Sequence, residues 1–578
     1  MKLLTIVLIT FCIADLFPQK VGDAYAININ NIYLPFTRTG ILADVNISPG
    51  GSTGQFGGNT FLFSGGFFLS GYSDGQLWAN AVASATLVED YLQGTYAFGQ
   101  NDPRAQLYRL RSDDIPFGQS WLDWIEAVAL GADFFDGDND GIYNPVDLNG
   151  NNQWDPDEDR PDLIGDETLW CVYHDIVPAL QRRWNTVDPQ GIEIRQSVFA
   201  YSSLPELQNV FFIRYRILNT GTVANEMTDV YFGVWDDPDL GDHNDDLVGC
   251  DTLLQGGYTY NDGPDAVYGN NPPGYFKKIL AGPVTYIPGV TYIDINGNEM
   301  YDEGIDTPLD TAYVHRGLLL GISEYPGAKN QTLSSSIHYI NNDLNLRDPS
   351  NKEEARNYIL GFNRIGELPD PCTWSYGDVR GGVDCSQVNP FFWYSGDPVA
   401  DYGWINIYTA DQRQMQNVGP FTLEQGKEIE IFIAHVIGQG NDPLSSISET
   451  KNLANISQEL YDCNFDPICI VSVVEQIELQ PDKFVLYQNY PNPFNPSTKI
   501  SWQSPVGSWQ TIKVFDVLGN EVATLVDEYK PAGSYEVEFN ISSISGSVSA
   551  KGGYASGVYF YQLRTDGFVE TKKMILLR

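Results

Sequence analysis

Short runs that alternate apolar with polar residues recur over most of the chain, and this period of two restricts the fold more than any other feature. Examples are Gly191–Ser202 (GIEIRQSVFAYS), Val210–Asn219 (VFFIRYRILN), Met227–Trp235 (MTDVYFGVW) and Lys427–Ile437 (KEIEIFIAHVI). Successive side chains of a strand point to opposite faces, so each run offers one face for burial. Their β-branched and aromatic residues suit a pleated surface. Helix signals are few: Ser120–Ala129 (SWLDWIEAVA) with Ser120 as its cap, Lys352–Tyr358 and Ser445–Tyr461. The expectation is an all-β protein of several antiparallel β-sandwich domains, whose turns draw on 55 Gly and 33 Pro. Its 578 residues allow three or four domains. The composition suggests an N-terminal β-rich region over 27–190 with a short helix, a β-sandwich body with long insertions over 191–470, a linker over 471–483 and a small C-terminal β-sandwich over 484–578.

The formal charge is −42 and unevenly spread. Residues 481–578 hold 9 basic and 9 acidic residues, and residues 1–26 hold two of each, so residues 27–480, with 22 basic and 64 acidic, carry all of it. Such a field repels nucleic acid and anionic lipid and attracts cations. Nucleic acid is therefore not an expected partner. Carboxylates at this density repel one another unless something neutralises them, and bound metal is one means.

The sharpest chemistry lies at Asp136–Asp147, which reads D-G-D-N-D-G-I-Y-N-P-V-D. Side-chain oxygens fall at loop positions 1, 3, 5, 9 and 12 as Asp136, Asp138, Asp140, Asn144 and Asp147. Gly141 stands at position 6, and Ile142 offers its carbonyl at position 7. This is the calcium-loop pattern with Asp in place of Glu at the last position. Calcium takes six to eight hard oxygens in a flexible cage, and alternate residues of a wrapped loop supply them. A second loop starts at the same Asp147: Asp147, Asn149, Asn151, Asp155 and Glu158 take positions 1, 3, 5, 9 and 12, with the Gln153 carbonyl at 7 and Asn152 replacing Gly at 6. Asp157, Asp159 and Asp162 crowd the same place. A third segment, Asp294, Asn296, Asn298 and Asp302, starts correctly, but Ile305 stands at position 12, so Glu303 or Asp306 would have to substitute. Asp236, Asp237, Asp239, Asp242, Asp245, Asp246 and Asp251 form a dense cluster without loop spacing, which reads equally as a metal site or a solvated turn.

Residues 1–26 (MKLLTIVLITFCIADLFPQKVGDAYA) have the form of a secretory signal peptide: Lys2, an apolar Leu3–Ala14 stretch too short to span a bilayer, and an A-x-A cleavage motif at Ala24-Tyr25-Ala26. No other apolar run approaches the length of a membrane span, so the mature chain is not expected to cross one. Cys12 falls in this leader; the remaining six, Cys171, Cys250, Cys372, Cys385, Cys463 and Cys469, suggest disulfides in an exported protein. Proximity favours Cys372–Cys385 and Cys463–Cys469, leaving Cys171–Cys250. No C-x-x-C pair supports zinc.

Signatures of catalysis are missing: there is no H-E-x-x-H, G-x-S-x-G, Walker loop or G-x-G-x-x-G. His435 sits mid-strand and reads as core, and His174, beside Cys171 and Asp175, reads as a structural hydrogen-bond partner more readily than as a site. Glycoside hydrolysis needs only two carboxylates at the right separation, which a sequence does not display. If the protein has a sugar-stacking surface, Trp374, Tyr376, Trp393, Tyr394 and Trp404 within Cys372–Tyr408 would form it; the plainer reading is core.

The C-terminal segment opens with Phe484-Val-Leu-Tyr-Gln-Asn-Tyr-Pro-Asn-Pro-Phe-Asn-Pro-Ser-Thr498, and strand-like runs follow at Lys499–Gln503, Thr511–Asp516, Glu521–Val526, Ser534–Asn540, Gly557–Arg564 and Val569–Leu577. QNYPNPFNPST, VFDVLGNEVATLV, SGVYFYQL and the terminal KKMILLR together resemble the type A C-terminal sorting domain of type IX secretion cargo, over roughly residues 482–578. One departure is a Ser/Gly-rich insertion, Ile541–Gly553. The resemblance implies an immunoglobulin-like module, export through a Sec signal peptide and the periplasm, and engagement of the type IX secretion machinery. The protein would then be released, or fixed to surface lipopolysaccharide. Gly165–Asp175, Val230–Asp251, Gly377–Cys385 and Gly419–Gly440 are similar to a body type that recurs in such cargo, which implies no activity. The expected protein is a secreted or cell-surface calcium-binding structural or interaction protein, an adhesin or envelope component, with structural Ca2+. The alternative is a secreted carbohydrate-active hydrolase with calcium-stabilised loops. Surface lipopolysaccharide or glycans are the partners that suit either.

Overall fold

A computed structural model describes residues 20–45, 47, 52–83, 90–341, 343–470, 483–506, 508–530, 533–540, 556–565 and 568–577. The chain divides into two units, Met1–Ile470 and Val471–Arg578. The first is built on β1 (Asn59–Ser73), β2 (Glu167–His174), β3 (Ile192–Ala200), β4 (Val210–Asn219), β5 (Glu226–Pro238), β6 (Leu247–Asp251), β7 (Gly256–Tyr260), β8 (Gly274–Ala281), β9 (Leu333–Ile340), β10 (Gln412–Glu424) and β11 (Glu428–Gly438). Its helices are α1 (Gln119–Ala129), α2 (Lys352–Ile359) and α3 (Pro443–Asp462).

Two antiparallel sheets face each other. In the first, β2, β3, β4, β11, β8, β7 and β6 are neighbours in that order, extended beyond β2 by Leu107–Arg111 and Lys20–Gly22. In the second, β1, β5, β10 and β9 follow one another, extended beyond β1 by Leu42–Ala43, Ile32–Thr37 and Ala24–Ile27. The alternation sends Ile194, Val198, Ile213, Tyr215 and Ile433 of the first sheet, and Phe67, Phe232, Val234 and Met415 of the second, into one buried core. Phe67 stacks on Phe232 of the neighbouring strand at 5.2 Å and, across the gap, meets Tyr215 edge-on at 5.4 Å. The outer face of the first sheet is covered too: Phe432 packs on Tyr461 of α3 at 5.2 Å, and Phe199 on Phe465 at 5.3 Å. Burial on both faces explains why β4 and β11 read as nearly continuous apolar runs. The helix α3 starts at Asp442, whose side chain takes the Ser445 N–H in a reciprocal capping box. A Cβ at Gly438 would lie 2.4 Å from the Thr450 nitrogen, so the missing side chain lets α3 lie close to β11.

The structure differs from the expectations in three places. Strand β2 pairs with β3 from Glu167↔Ala200 to His174↔Glu193, so the division expected between residues 190 and 191 falls inside one sheet. The first turn of α1 is capped by Gly118 without a side-chain bond, and Ser120 is buried within the helix rather than capping it. Cys171 and Cys250 are free and buried, while Cys372–Cys385 and Cys463–Cys469 are bonded. Cys171 on β2 and Cys250 on β6 have β3, β4, β11, β8 and β7 between them. At the usual strand spacing that is on the order of 25–30 Å, far beyond disulfide reach. In the uncleaved chain Ala24–Ile27 pairs with Ile32–Thr37, and the Tyr25 hydroxyl donates to Glu167 at 3.2 Å. The apolar stretch Leu3–Ala14, most of the expected linker and the insertion Ile541–Gly553 lie outside the described residues. Among the described residues no helix is long and apolar enough to cross a membrane.

The second unit packs two sheets around Ile500, Trp502, Val514, Tyr561 and Leu576. One joins Val485–Leu486, β12 (Ser497–Ser504) and β15 (Gly533–Asn540). The other joins β14 (Glu521–Lys530), β13 (Ser508–Phe515), β16 (Gly557–Arg564) and β17 (Val569–Leu576). Its opening motif is woven onto the last strand. The Phe494 N–H donates to Ile575 O at 2.9 Å, Leu577 N–H to Phe494 O at 3.0 Å, and Ile575 N–H to Asn492 Oδ1 at 2.9 Å. The Asn489 amide fixes the turn from within, donating to Thr498 Oγ1 at 2.9 Å. The Pro-Asn-Pro-Phe segment and the basic final strand are therefore one structural element.

Candidate metal centre

Two hairpins of the first unit carry the acidic loops. Phe134–Phe135 pairs with Arg160–Pro161 around residues 136–159, and Tyr292–Ile293 pairs with Thr307–Pro308 around residues 294–306. Inside them the same wiring appears three times. The side chain at position 3 accepts the N–H at position 5: Asp138 from Asp140 (3.1 Å), Asn149 from Asn151 (3.0 Å), Asn296 from Asn298 (3.2 Å). Position 5 accepts from position 7: Asp140 from Ile142 (2.7 Å), Asn151 from Gln153 (2.6 Å), Asn298 from Met300 (2.9 Å). Position 1 accepts from position 6: Asp136 from Gly141 (2.9 Å), Asp147 from Asn152 (2.8 Å), Asp294 from Glu299 (2.7 Å). The chain turns through positive φ at positions 4 and 6 of each loop: Asn139 and Gly141, Gly150 and Asn152, Gly297 and Glu299. Gly and Asn tolerate that region; Glu299, at 61°, is held there by its bond to Asp294.

A further carboxylate closes each loop by accepting the N–H groups of positions 2 and 9. In the last loop it is Asp306, from Ile295 at 2.9 Å and Asp302 at 2.8 Å, the substitute that Ile305 made necessary. In the middle loop it is Glu158, from Leu148 at 2.7 Å and Asp155 at 2.9 Å, as the spacing expected. In the first loop it is Asp159, from Gly137 at 3.1 Å and Asn144 at 2.7 Å, and not Asp147. Asp147 is committed to its own loop, where it takes N–H groups from Gly150 and Asn152. The closing group must come from the chain returning beside position 2, and with one loop nested in another that chain arrives only after residue 158. The three closing residues are buried, Glu158 at 2 %, Asp159 at 3 % and Asp306 at 7 % exposure, whereas most of the loop residues they gather are exposed.

The charges do not cancel within the first loop. One oxygen each of Asp136, Asp138 and Asp159 lie within 4.8 Å of one another. Partial dehydration and then the charges of Asp140, Asp159 and Asp136 push the Asp138 carboxyl up. In the middle loop the backbone N–H of Asn152 leads the effects that hold Asp147 down. The donors are all hard oxygens on short side chains, with Ile142, Gln153 and Met300 at position 7, so the set suits calcium rather than a soft metal. Asp155 and Asp302, at position 9, accept amide N–H groups from Asn149 and Asn151, and from Asn296 and Asn298, at 2.7–2.8 Å.

The hairpin at 136–159 is moored to an ionic cluster on the outer face of the first sheet. Arg214 and Arg216 pair with Asp133 at 3.0 and 2.9 Å, and Arg214 also reaches Asp162 at 3.5 Å and Glu430 at 2.6 Å. Arg316, downstream of the last loop, pairs with the same Glu430. Burial alone would raise the Asp133 carboxyl, but Arg214 and Arg216 outweigh it and hold it low. An aromatic residue at position 8 adds a packing anchor in each loop. Tyr143 donates to Trp121 O at 3.1 Å, Trp154 packs on Phe135 at 5.7 Å, and Tyr301 packs on Tyr286 and Tyr292. The aromatic recurs in the sequence at position 8 of each loop, as Tyr143, Trp154 and Tyr301.

The other candidates have separate surroundings, apart from Asp237 and Asp239, which lie together. Asp236 is buried between the sheets on Lys277 (2.8 Å) and Tyr275 (2.7 Å), and Asp251 pairs with Lys451 at 3.0 Å. His435 is fully buried, stacked on Phe211 at 4.5 Å and bonded to Tyr275, with burial holding it near 4. The His174 Nδ1 accepts the Ile176 N–H at 3.1 Å. Trp393, Tyr394 and Trp404 are 1–2 % exposed, and Trp374 and Tyr376 pack against the same core, so these rings are spent on the interior. Two cavities, one beside Asp90 and Tyr91 and one beside His338 and Trp393, are each about 10 Å³, room for a water and not for a sugar.

Residues 488–577 match the family model described as a secretion system C-terminal sorting domain. The second unit is thus a type IX sorting domain, and the protein is cargo of that system, sent to the cell surface or the extracellular space. No curated protein matches the chain. Among solved structures a polysaccharide lyase is similar at 8 % identity and a TM-score of 0.17, over 66 % of this chain and 34 % of the lyase. The chain spans about a third of that enzyme's length, and a likeness this slight carries no argument.

Proposed function

We propose that the first unit is a calcium-stiffened structural or interaction protein of the cell exterior, an adhesin or envelope component, which the sorting domain delivers. The repeated wiring of the three loops carries this reading. The first loop brings one oxygen each of Asp136, Asp138 and Asp159 within 4.8 Å of one another, and each loop buries a closing carboxylate and spends backbone N–H groups on holding its side chains inward. A bound cation supplies the missing positive charge. The residues that would hold it are Asp136, Asp138, Asp140 and Asp159 in the first loop, Asp147, Asn149, Asn151, Asp155 and Glu158 in the second, and Asp294, Asn296, Asn298, Asp302 and Asp306 in the third. Calcium is plentiful outside cells, so millimolar-range affinity is enough for such sites. Because the 136–159 hairpin is moored on the Arg214–Glu430 cluster, ordering its loops stiffens the sheet surface that a partner would meet. Surface lipopolysaccharide and glycans are the partners this placement favours. The hydrolase alternative gains no support from the buried aromatics.

The test is equilibrium dialysis of the full chain against labelled calcium, joined to thermal melts in millimolar calcium and in chelator. Bound calcium and a higher melting temperature in its presence are expected. No bound calcium and superimposable melts would sink the reading.

A further inference from the structure

The acidic cluster at the end of β5 is not a solvated turn. Asp236 points into the inter-sheet core, so Asp237 points the other way, and it is only 5 % exposed. One of its oxygens, Oδ2, meets Arg413 at 3.1 Å; the other, Oδ1, is buried with no hydrogen-bond donor. Strand β10 runs antiparallel beside β5 with Asp236 opposite Gln414. Continuing that register places Asp237 opposite Arg413 and Asp239 opposite Asp411. Like charges directly opposite one another on paired strands are destabilising. One oxygen each of Asp237, Asp239 and Asp411 nevertheless lie within 4.8 Å of one another.

The neighbouring cations do not balance this group. Arg413 is shared among Asp237, Asp411 at 3.2 Å and Asp348 at 3.9 Å. The Asn341 amide gives Asp411 Oδ2 one further donor at 3.1 Å. Burial and then the charge of Asp411 push the Asp239 carboxyl up to about 6, with His243 and Arg413 opposing, and burial drives Asp237 well above the usual range despite Arg413. A buried carboxylate oxygen with no donor is costly unless a cation or proton meets it.

We propose that Asp237, Asp239 and Asp411 form a separate site for a hard divalent cation, calcium being the first choice, which clamps the end of β5 to the start of β10. The oxygen-only donor set excludes soft metals. The site lies on the second sheet, uses none of the hairpin residues and does not depend on their reading.

The experiment is labelled-calcium dialysis and thermal melting of the full chain against Asp411→Asn and, independently, Asp239→Asn. Each variant should bind one equivalent fewer than the unsubstituted protein. Asp239→Asn should melt at or above the parent in chelator, where it relieves repulsion, and below it in calcium, where it removes a ligand. An unchanged stoichiometry, or the same sign of melting shift in both media, overturns the proposal. A parallel Asp159→Asn, Asp306→Asn chain keeps the outcomes distinct. If the hairpins bind nothing, that chain and the parent bind equally, and the β5 site still loses its equivalent in the Asp411 variant.

Discussion

The hairpin at 294–306 holds a single loop; the hairpin at 136–159 nests one loop inside another. Their hydrogen-bond wiring is the same, down to positive φ at positions 4 and 6 and a buried closing carboxylate. Their charge is not. The first loop offers four carboxylates, Asp136, Asp138, Asp140 and Asp159, where the middle and last loops use Asn at positions 3 and 5. Backbone shape is therefore set by short oxygen-bearing side chains of either kind, and charge is a separate choice laid over it. Cation affinity in such cages follows the number of charged ligands, so the first loop should bind most tightly.

The bluntest way to break this comparison is to strip the metal. At a hundredfold excess of calcium over Kd each filled site adds about 2.7 kcal/mol. Chelator should lower the melting temperature, with the steepest response at the lowest free calcium if the first loop leads. Next, Asp159→Asn and Asp147→Asn should each remove one equivalent in a calcium titration, at a cost on the order of 2 kcal/mol each in calcium. If Asp147→Asn removes two, Asp147 closes the first loop after all. Acid should separate loops from core. Burial holds His338 near 3 and His435 near 4, below the value of about 6.5 that an unfolded chain has. The unfolded chain therefore takes protons first. The stability these residues contribute is whole above about pH 6.5 and is lost as pH falls toward 4, at about 1.4 kcal/mol per pH unit for each. His338→Gln should flatten that slope in denaturant titrations without changing calcium stoichiometry. The smallest effect is expected of Glu303→Gln: Asp306 closes the last loop, so calcium binding there should be unchanged within about 0.5 kcal/mol by titration.

Much of this was legible in order along the chain and little of it across the chain. Val210–Asn219 is a strand over the same residues that its alternation marked, and Ser445–Tyr461 falls within α3. Local spacing likewise marks the residues whose side chains wire positions 1 to 7 of each loop, because Asx-type bonds reach only two to five residues. The spacing puts Asp147 at the end of the first loop, whereas the N–H groups of Gly137 and Asn144 go to Asp159, which reaches them only after the inner loop has been completed. Asp411 was invisible as a partner of Asp237 and Asp239 for the same reason: a strand register brings together residues more than 170 apart. Pairing Cys171 with Cys250 by elimination failed because a count of cysteines contains no information on sheet order.

Glu158 and Asp159 are consecutive, and they close different loops. Gly137 lies against them: a Cβ there would sit 2.3 Å from the Glu158 carbonyl oxygen and 2.5 Å from its nitrogen, so only a bare backbone lets the returning chain pass. The two cages thus share one length of immobilised peptide. If cations enter them, whichever cage fills first would meet the entropic cost of fixing that peptide, and the second would fill a cage already half ordered. On the calcium reading proposed above, the nested hairpin would couple its two cages through a single peptide bond, a coupling that the lone loop at 294–306 has no means to express.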